Sequence, residues 1–208
     1  MGHAVLLGDS LLDNGAYVSG SPVAEQLRSR LPRDWQTTLL ARDGAVATGV
    51  LKQLQKLPAD ASHLIVSAGG NDALESIPLF RSPVADSQSM LLELVALQDE
   101  FRSNYRKMIR ALRETRRPTI ACTIYDAVPS ILPVEKMALS LFNDVIKRVL
   151  IEAHIPILDM RLVCNEFRDF SSVSQIEPSE IGGSKISRAL QRILLDHDFA
   201  RSETVVYP

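Results

Sequence analysis

Small polar residues gather just beyond several apolar runs of this sequence. Gly8-Asp9-Ser10-Leu11 follows one run, Arg42-Asp43-Gly44-Ala45 a second, and Ala68-Gly69-Gly70-Asn71-Asp72 a third. Tyr125-Asp126-Ala127-Val128-Pro129 and Arg161-Leu162-Val163-Cys164-Asn165 follow two more. A serine placed just past a strand presents its hydroxyl beside free backbone N–H groups, which favour an anion. Gly44 permits close backbone approach to a ligand, and Asn71 offers an amide donor. A serine with such donors suggests a nucleophile beside an oxyanion hole. The same pieces also serve plainer ends, since Gly-Asp-Ser and Gly-Gly-Asn-Asp both suit turns with a helix cap.

The elements that hold these residues follow from the hydropathy pattern. Candidate strands cover residues 3–7, 37–41, 64–67, 119–124 and 156–160. Each is a nearly continuous apolar run, as expected of a parallel sheet covered on both faces. Helical patterns lie between them at 23–30, 46–57, 87–115, 135–153 and about 183–195. In the long segment, Leu94, Leu97, Phe101, Tyr105, Met108 and Leu112 recur at steps of three and four, forming one apolar stripe. This alternation predicts a single open α/β domain over residues 1–208, with helices on both faces. In such a sheet, ligands bind outside the carboxyl ends of the strands. The polar clusters above all map to that edge.

In order and spacing, the blocks resemble the SGNH hydrolases, also called the GDSL esterase and lipase family. Gly8-Asp9-Ser10-Leu11 is similar to the family's first block, where the serine is the nucleophile. Gly44 matches the second block, whose N–H helps form the oxyanion hole. Gly69-Gly70-Asn71-Asp72 matches the third, G-x-N-D, whose asparagine supplies another donor. Residues 176–183 keep the frame of the last block. The resemblance runs from residue 4 to about 195. It implies a flavodoxin-like three-layer sandwich, a five-stranded parallel sheet of order 2-1-3-4-5, and hydrolysis of a small ester without a cofactor.

The last block departs from the family pattern. Where the family has Asp and His, this chain has Ser174 and Glu177. The four histidines, His3, His63, His154 and His197, all map to the amino-terminal edge, away from the crevice. The two replacements are chemically consistent. An aspartate would repel a carboxylate base, whereas Ser174 can donate a hydrogen bond to Glu177. One reading is therefore a Ser10 hydrolase with Glu177 as general base. The ordinary glutamate pKa of about 4.3 lies below the near-neutral value that suits a base, and burial beside Ile176 and Pro178 would raise it. The other reading is a ligand-binding protein of weak or no activity on the same fold.

Asp9, Asp72, Phe80 and Tyr125 are further candidate substrate contacts. Asp9 equally suits local backbone hydrogen bonds, and Asp72 its own turn. Residues 73–83, with Ile77, Leu79 and Phe80, form either an acyl pocket or lid, or a loop packed on the long helix. No metal motif is evident in the scattered carboxylates, and no phosphate loop is present. Arg106, Lys107, Arg110, Arg113, Arg116 and Arg117 suit a solvated helix end. With 23 Lys and Arg against 25 Asp and Glu, the net charge is −2. That balance argues against nucleic acid or an anionic membrane as partner. Cys122 and Cys164 form no disulfide framework, and no signal or membrane segment is apparent. A cytoplasmic location is expected; the oligomeric state is left open.

Overall fold

A computed structural model describes residues 2–80, 83–201 and 203–208. In chain order the elements are β1 (Gly2–Gly8), α1 (Val23–Arg30), β2 (Trp35–Leu39), α2 (Val50–Leu54) and β3 (His63–Ser67). Then come α3 (Gly70–Glu75), α4 (Ile77–Phe80), α5 (Ser87–Glu114), β4 (Thr119–Cys122) and α6 (Pro133–Glu152). The chain ends with β5 (Ile157–Leu158), α7 (Met160–Val163), α8 (Glu180–Asp196) and β6 (Val206–Tyr207). All neighbouring strands pair in parallel, in the order β2-β1-β3-β4-β5-β6.

The sheet is buried on both faces because its strands are apolar on both faces. Val5, Leu7, Leu64, Val66, Ala121 and Ile157 point to one side, into a core shared with α5 and α6. Ala4, Leu6, Ile65, Ile120, Cys122 and Leu158 point to the other, into a core shared with α1 and α8. Each fully buried Leu or Ile contributes about 1.5–3 kcal/mol to the fold. On α5 the buried stripe is Phe101, Tyr105, Met108, Ile109 and Leu112. Leu94 and Leu97, expected on that stripe, are only half-buried.

The sheet has six strands rather than the expected five. The extra one, β6, contributes only two residues, too short for an apolar run to mark it. The expected strand at 156–160 shrinks to Ile157–Leu158, because Asp159 caps α7 by accepting the Arg161 N–H. The strand expected at 37–41 lies at Trp35–Leu39, in register with Gly2–Leu6. The helix expected at 46–57 is a 3₁₀ turn, Ala47–Gly49, followed by α2. The basic residues on α5 and beyond have structural partners where partners are seen. Arg106 pairs with Glu152 at 2.8 Å, and Arg117 donates to the Ala61 carbonyl at 2.6 Å. Among the described residues, no helix is long and apolar enough to cross a membrane.

Candidate active site

Adjacent strands bring the polar clusters together. Gly8 at the end of β1 lies in register with Ser67 at the end of β3, so the Ser10 turn sits beside the start of α3. Gly8 has φ 115°, and a Cβ there would lie 1.7 Å from the Ser67 carbonyl oxygen. Only glycine allows the chain to turn so close to its neighbour. The turn is then fastened. Gln53 accepts the Gly8 N–H at 2.7 Å and donates to the Gly8 carbonyl at 2.8 Å. The Asp9 N–H donates to the Ser67 carbonyl at 3.1 Å. Asp9 Oδ1 accepts the Ser67 hydroxyl at 2.8 Å and the Leu11 N–H at 3.3 Å.

Glu177 arrives from the segment between the Phe167–Asp169 turn and α8. Its carbonyl accepts the Ser171 N–H at 2.8 Å, and its N–H donates to the Ser174 carbonyl at 3.0 Å. The Tyr125 hydroxyl donates to the Ile176 carbonyl. Asn14 donates to the Pro178 carbonyl at 3.1 Å and accepts the Val23 N–H at 2.9 Å. So held, Glu177 is 4% exposed. The Ser10 hydroxyl donates to its Oε1 at 2.9 Å, and its buried Oε2 has no hydrogen-bond partner among the described residues.

Loss of water, with repulsion from Asp9 and Asp43, outweighs the Ser10 hydrogen bond and raises the Glu177 pKa from 4.5 to about 7. Burial likewise raises Asp9 from 3.8 to about 7, against its bonds to Ser67 and Leu11. Burial thus moves Glu177 from the ordinary carboxylate range toward neutrality.

Ser10, Glu177, Asp9, Asn71, Phe80 and Tyr125 line one cavity of about 320 Å³. Three other expected site residues lie outside its walls. Gly44 is exposed, with φ 75°, on the neighbouring turn. Asn71 holds that turn by donating to the Ala45 carbonyl at 3.0 Å. Asp72 is turned away from the cavity, its Oδ2 accepting the Ala47 N–H at 2.9 Å; burial raises its pKa. Ser174 meets Glu177 through its backbone carbonyl, and no hydrogen bond joins its hydroxyl to the carboxylate. The orientation expected of Ser174 falls instead to the backbone and to Tyr125. Of residues 73–83, Ala73, Leu74, Ser76, Ile77 and Phe80 line the cavity as a pocket wall and Leu79 does not; Arg81 and Ser82 lie outside the described residues.

No histidine bonds to Ser10. His3 and His63 sit at the amino-terminal ends of β1 and β3, and His154 and His197 follow α6 and α8. His3 bonds Thr38 at 2.8 Å and His197 bonds the Tyr207 hydroxyl at 2.9 Å. Cys164 is buried, which pushes its thiol up to about 12 and makes it a poor nucleophile. Among the described residues no group of His, Cys, Asp and Glu is arranged to hold a metal. Sequence reasoning missed Gln53 and Asn14. Each is a buried amide, and neither lies in a motif.

A family profile described as GDSL-like Lipase/Acylhydrolase matches residues 6–182. No curated protein matches the chain. Among solved structures, the chain is similar to the lipase Lip_vut3 from a goat rumen metagenome, with TM-score 0.71 and 20% identity over 92% of this chain and 96% of that one. It is also similar to an acetyl xylan esterase, AlAXEase, with TM-score 0.67 and 12% identity over 93% and 100% of the two chains. A phospholipase A1 from Streptomyces albidoflavus matches with TM-score 0.66 and 16% identity over 93% and 98%.

Proposed function

Because the chain belongs to the GDSL-like lipase/acylhydrolase family, we propose that it hydrolyses an ester through the pair Ser10 and Glu177. The observation that carries this reading is the 2.9 Å hydrogen bond from the Ser10 hydroxyl to Glu177 Oε1 at the cavity wall. Glu177 takes the Ser10 proton as Oγ attacks the ester carbonyl carbon. The carbonyl electrons move to oxygen, giving a tetrahedral oxyanion. The Ser10 N–H has no hydrogen-bond partner among the described residues, and the Asn71 amide keeps one hydrogen beyond its bond to Ala45. Those two donors, both on residues of the cavity wall, receive the oxyanion. As the intermediate collapses, Glu177 returns the proton to the leaving alkoxide and an acyl-serine remains. Water then attacks the acyl carbon, Glu177 takes the water proton, and on collapse that proton restores the Ser10 hydroxyl. Two buried free thiols, Cys122 and Cys164, support a reducing compartment for the protein.

The test is hydrolysis of short-chain aryl esters from pH 5 to 9 by the natural protein, Ser10→Ala and Glu177→Gln. A base must be ionised to act. The expected rate therefore rises with pH as Glu177 ionises, near pH 7. Both variants should lose about 10²–10⁴ in kcat. A natural protein no faster than Ser10→Ala would overturn turnover at Ser10 and leave a binding site on the hydrolase fold.

A further inference from the structure

The walls of the cavity change character away from Ser10. Ile77 and Phe80 from α4, Ile124 from just past β4, and Ala138, Leu139 and Phe142 from α6 make a continuous apolar lining. Of the polar side chains among them, three already have partners, and Ser130 adds one further hydroxyl. The Ser76 hydroxyl donates to the Ala73 carbonyl at 2.6 Å, and the Thr123 hydroxyl to Asp159 at 3.0 Å. Glu135 accepts the Leu132 N–H at 3.0 Å. A sugar or peptide entering here would lose water and find few replacement partners, which is costly. A hydrocarbon would lose nothing and gain burial.

The size of the space narrows the occupant further. A cavity of about 150 Å³ suffices for a six-carbon ring. The 320 Å³ here therefore holds on the order of a dozen carbon-sized groups, some of them taken by the reacting ester. Resting on the Ser10–Glu177 reading, we infer that the acyl part of the substrate is a hydrocarbon chain of roughly six to ten carbons, and that α6 sets its length. Ala138 and Phe142 are four residues apart, so both face the same side of α6. Ala138 is the small residue of that face, and Leu139 stands beside it. The volume these positions leave free is the volume the chain end fills.

The experiment has two arms. In the first, kcat/KM is measured for p-nitrophenyl esters from two to twelve acyl carbons. It rises about fourfold per added CH₂, peaks between about six and ten carbons, and then falls. Ala138→Leu adds three carbons to the wall and moves the peak to a shorter chain by roughly that number. Leu139→Ala moves it to a longer one. Because the two variants act in opposite directions, a folding defect in either leaves the other informative. In the second arm, calorimetry follows n-alkanols of four to twelve carbons binding to Ser10→Ala, with affinity rising with length over the same range. Turnover that is greatest on the acetyl ester, or a peak unmoved by both α6 variants, overturns the acyl-length inference while ester hydrolysis stands. No turnover on any ester, with alkanol affinity still rising with length, overturns hydrolysis and leaves the chain pocket. Neither turnover nor length-dependent binding overturns both.

Discussion

At Glu177 a carboxylate is held out of water with one oxygen on Ser10 and the other without a partner. Such a group makes the folded state dependent on pH. Its pKa rises from 4.5 to about 7 on folding, so the folded state prefers the protonated form. The stability it contributes is complete below about pH 4.5 and is lost as pH rises through about 7. Glu177→Gln removes that loss. Its melting temperature at pH 8.5 should exceed that of the natural protein by about 5 °C, corresponding to on the order of 2 kcal/mol. At pH 4.5 the difference should vanish. Calorimetry at both pH values checks this, and equal melting temperatures at pH 8.5 would contradict the burial argument. On the proposed mechanism, a site that gains stability when Glu177 is neutralised is one where function and fold conflict. At this scale Ser10 and Asn71 were legible, because small polar residues past apolar runs mark strand ends. Glu177 was legible only through the frame of a family block. The direction of its pKa shift was legible from the apolar neighbours Ile176 and Pro178; the hold of a residue as distant in sequence as Tyr125 on that segment was not.

Among the elements, the segment that carries Glu177 has no regular structure of its own and borrows rigidity from outside. Tyr125, in the loop between β4 and α6, reaches across to the Ile176 carbonyl and packs edge-on against Phe170 at 5.2 Å. Tyr125→Phe keeps the ring and removes the hydrogen bond. It should cost about 1 kcal/mol of stability and lower kcat on short aryl esters about tenfold. A merely structural loss would leave the pH dependence alone. Here the inflection of the pH–rate profile should fall from about 7 toward the ordinary glutamate value, as water reaches a looser Glu177. An unmoved inflection would assign Tyr125 to packing only. The long elements were legible from periodicity: α1 lies at Val23–Arg30 and α5 begins at Ser87, both as expected. The ends of β4 and β5 were not, since side-chain bonds decide them. Asp159 stops β5 by capping α7, and Asn143 takes the Ile124 N–H at 2.9 Å just past β4.

Over the whole molecule, the order of the first five strands followed from family resemblance, and the two-faced burial from apolar strands. The sixth strand was invisible in the sequence, yet it finishes the sheet. Ile157 donates to the Val205 carbonyl at 2.9 Å and Asp159 to the Tyr207 carbonyl at 2.8 Å. Removing residues 203–208 leaves those two N–H groups without their partners and opens the edge of β5. The expected result is a melting temperature lower by about 5 °C and increased light scattering on heating, as an open edge invites pairing between chains. Unchanged melting and scattering would mean that β6 only decorates the sheet. The distance along the chain between Ser10 and Glu177 has a different consequence. The bond between them spans 167 positions. At a synthesis rate of about 5–20 residues per second, the serine leaves the ribosome on the order of ten to thirty seconds before its partner. On the proposed mechanism, Ser10 therefore meets its base only when nearly the whole chain has been made.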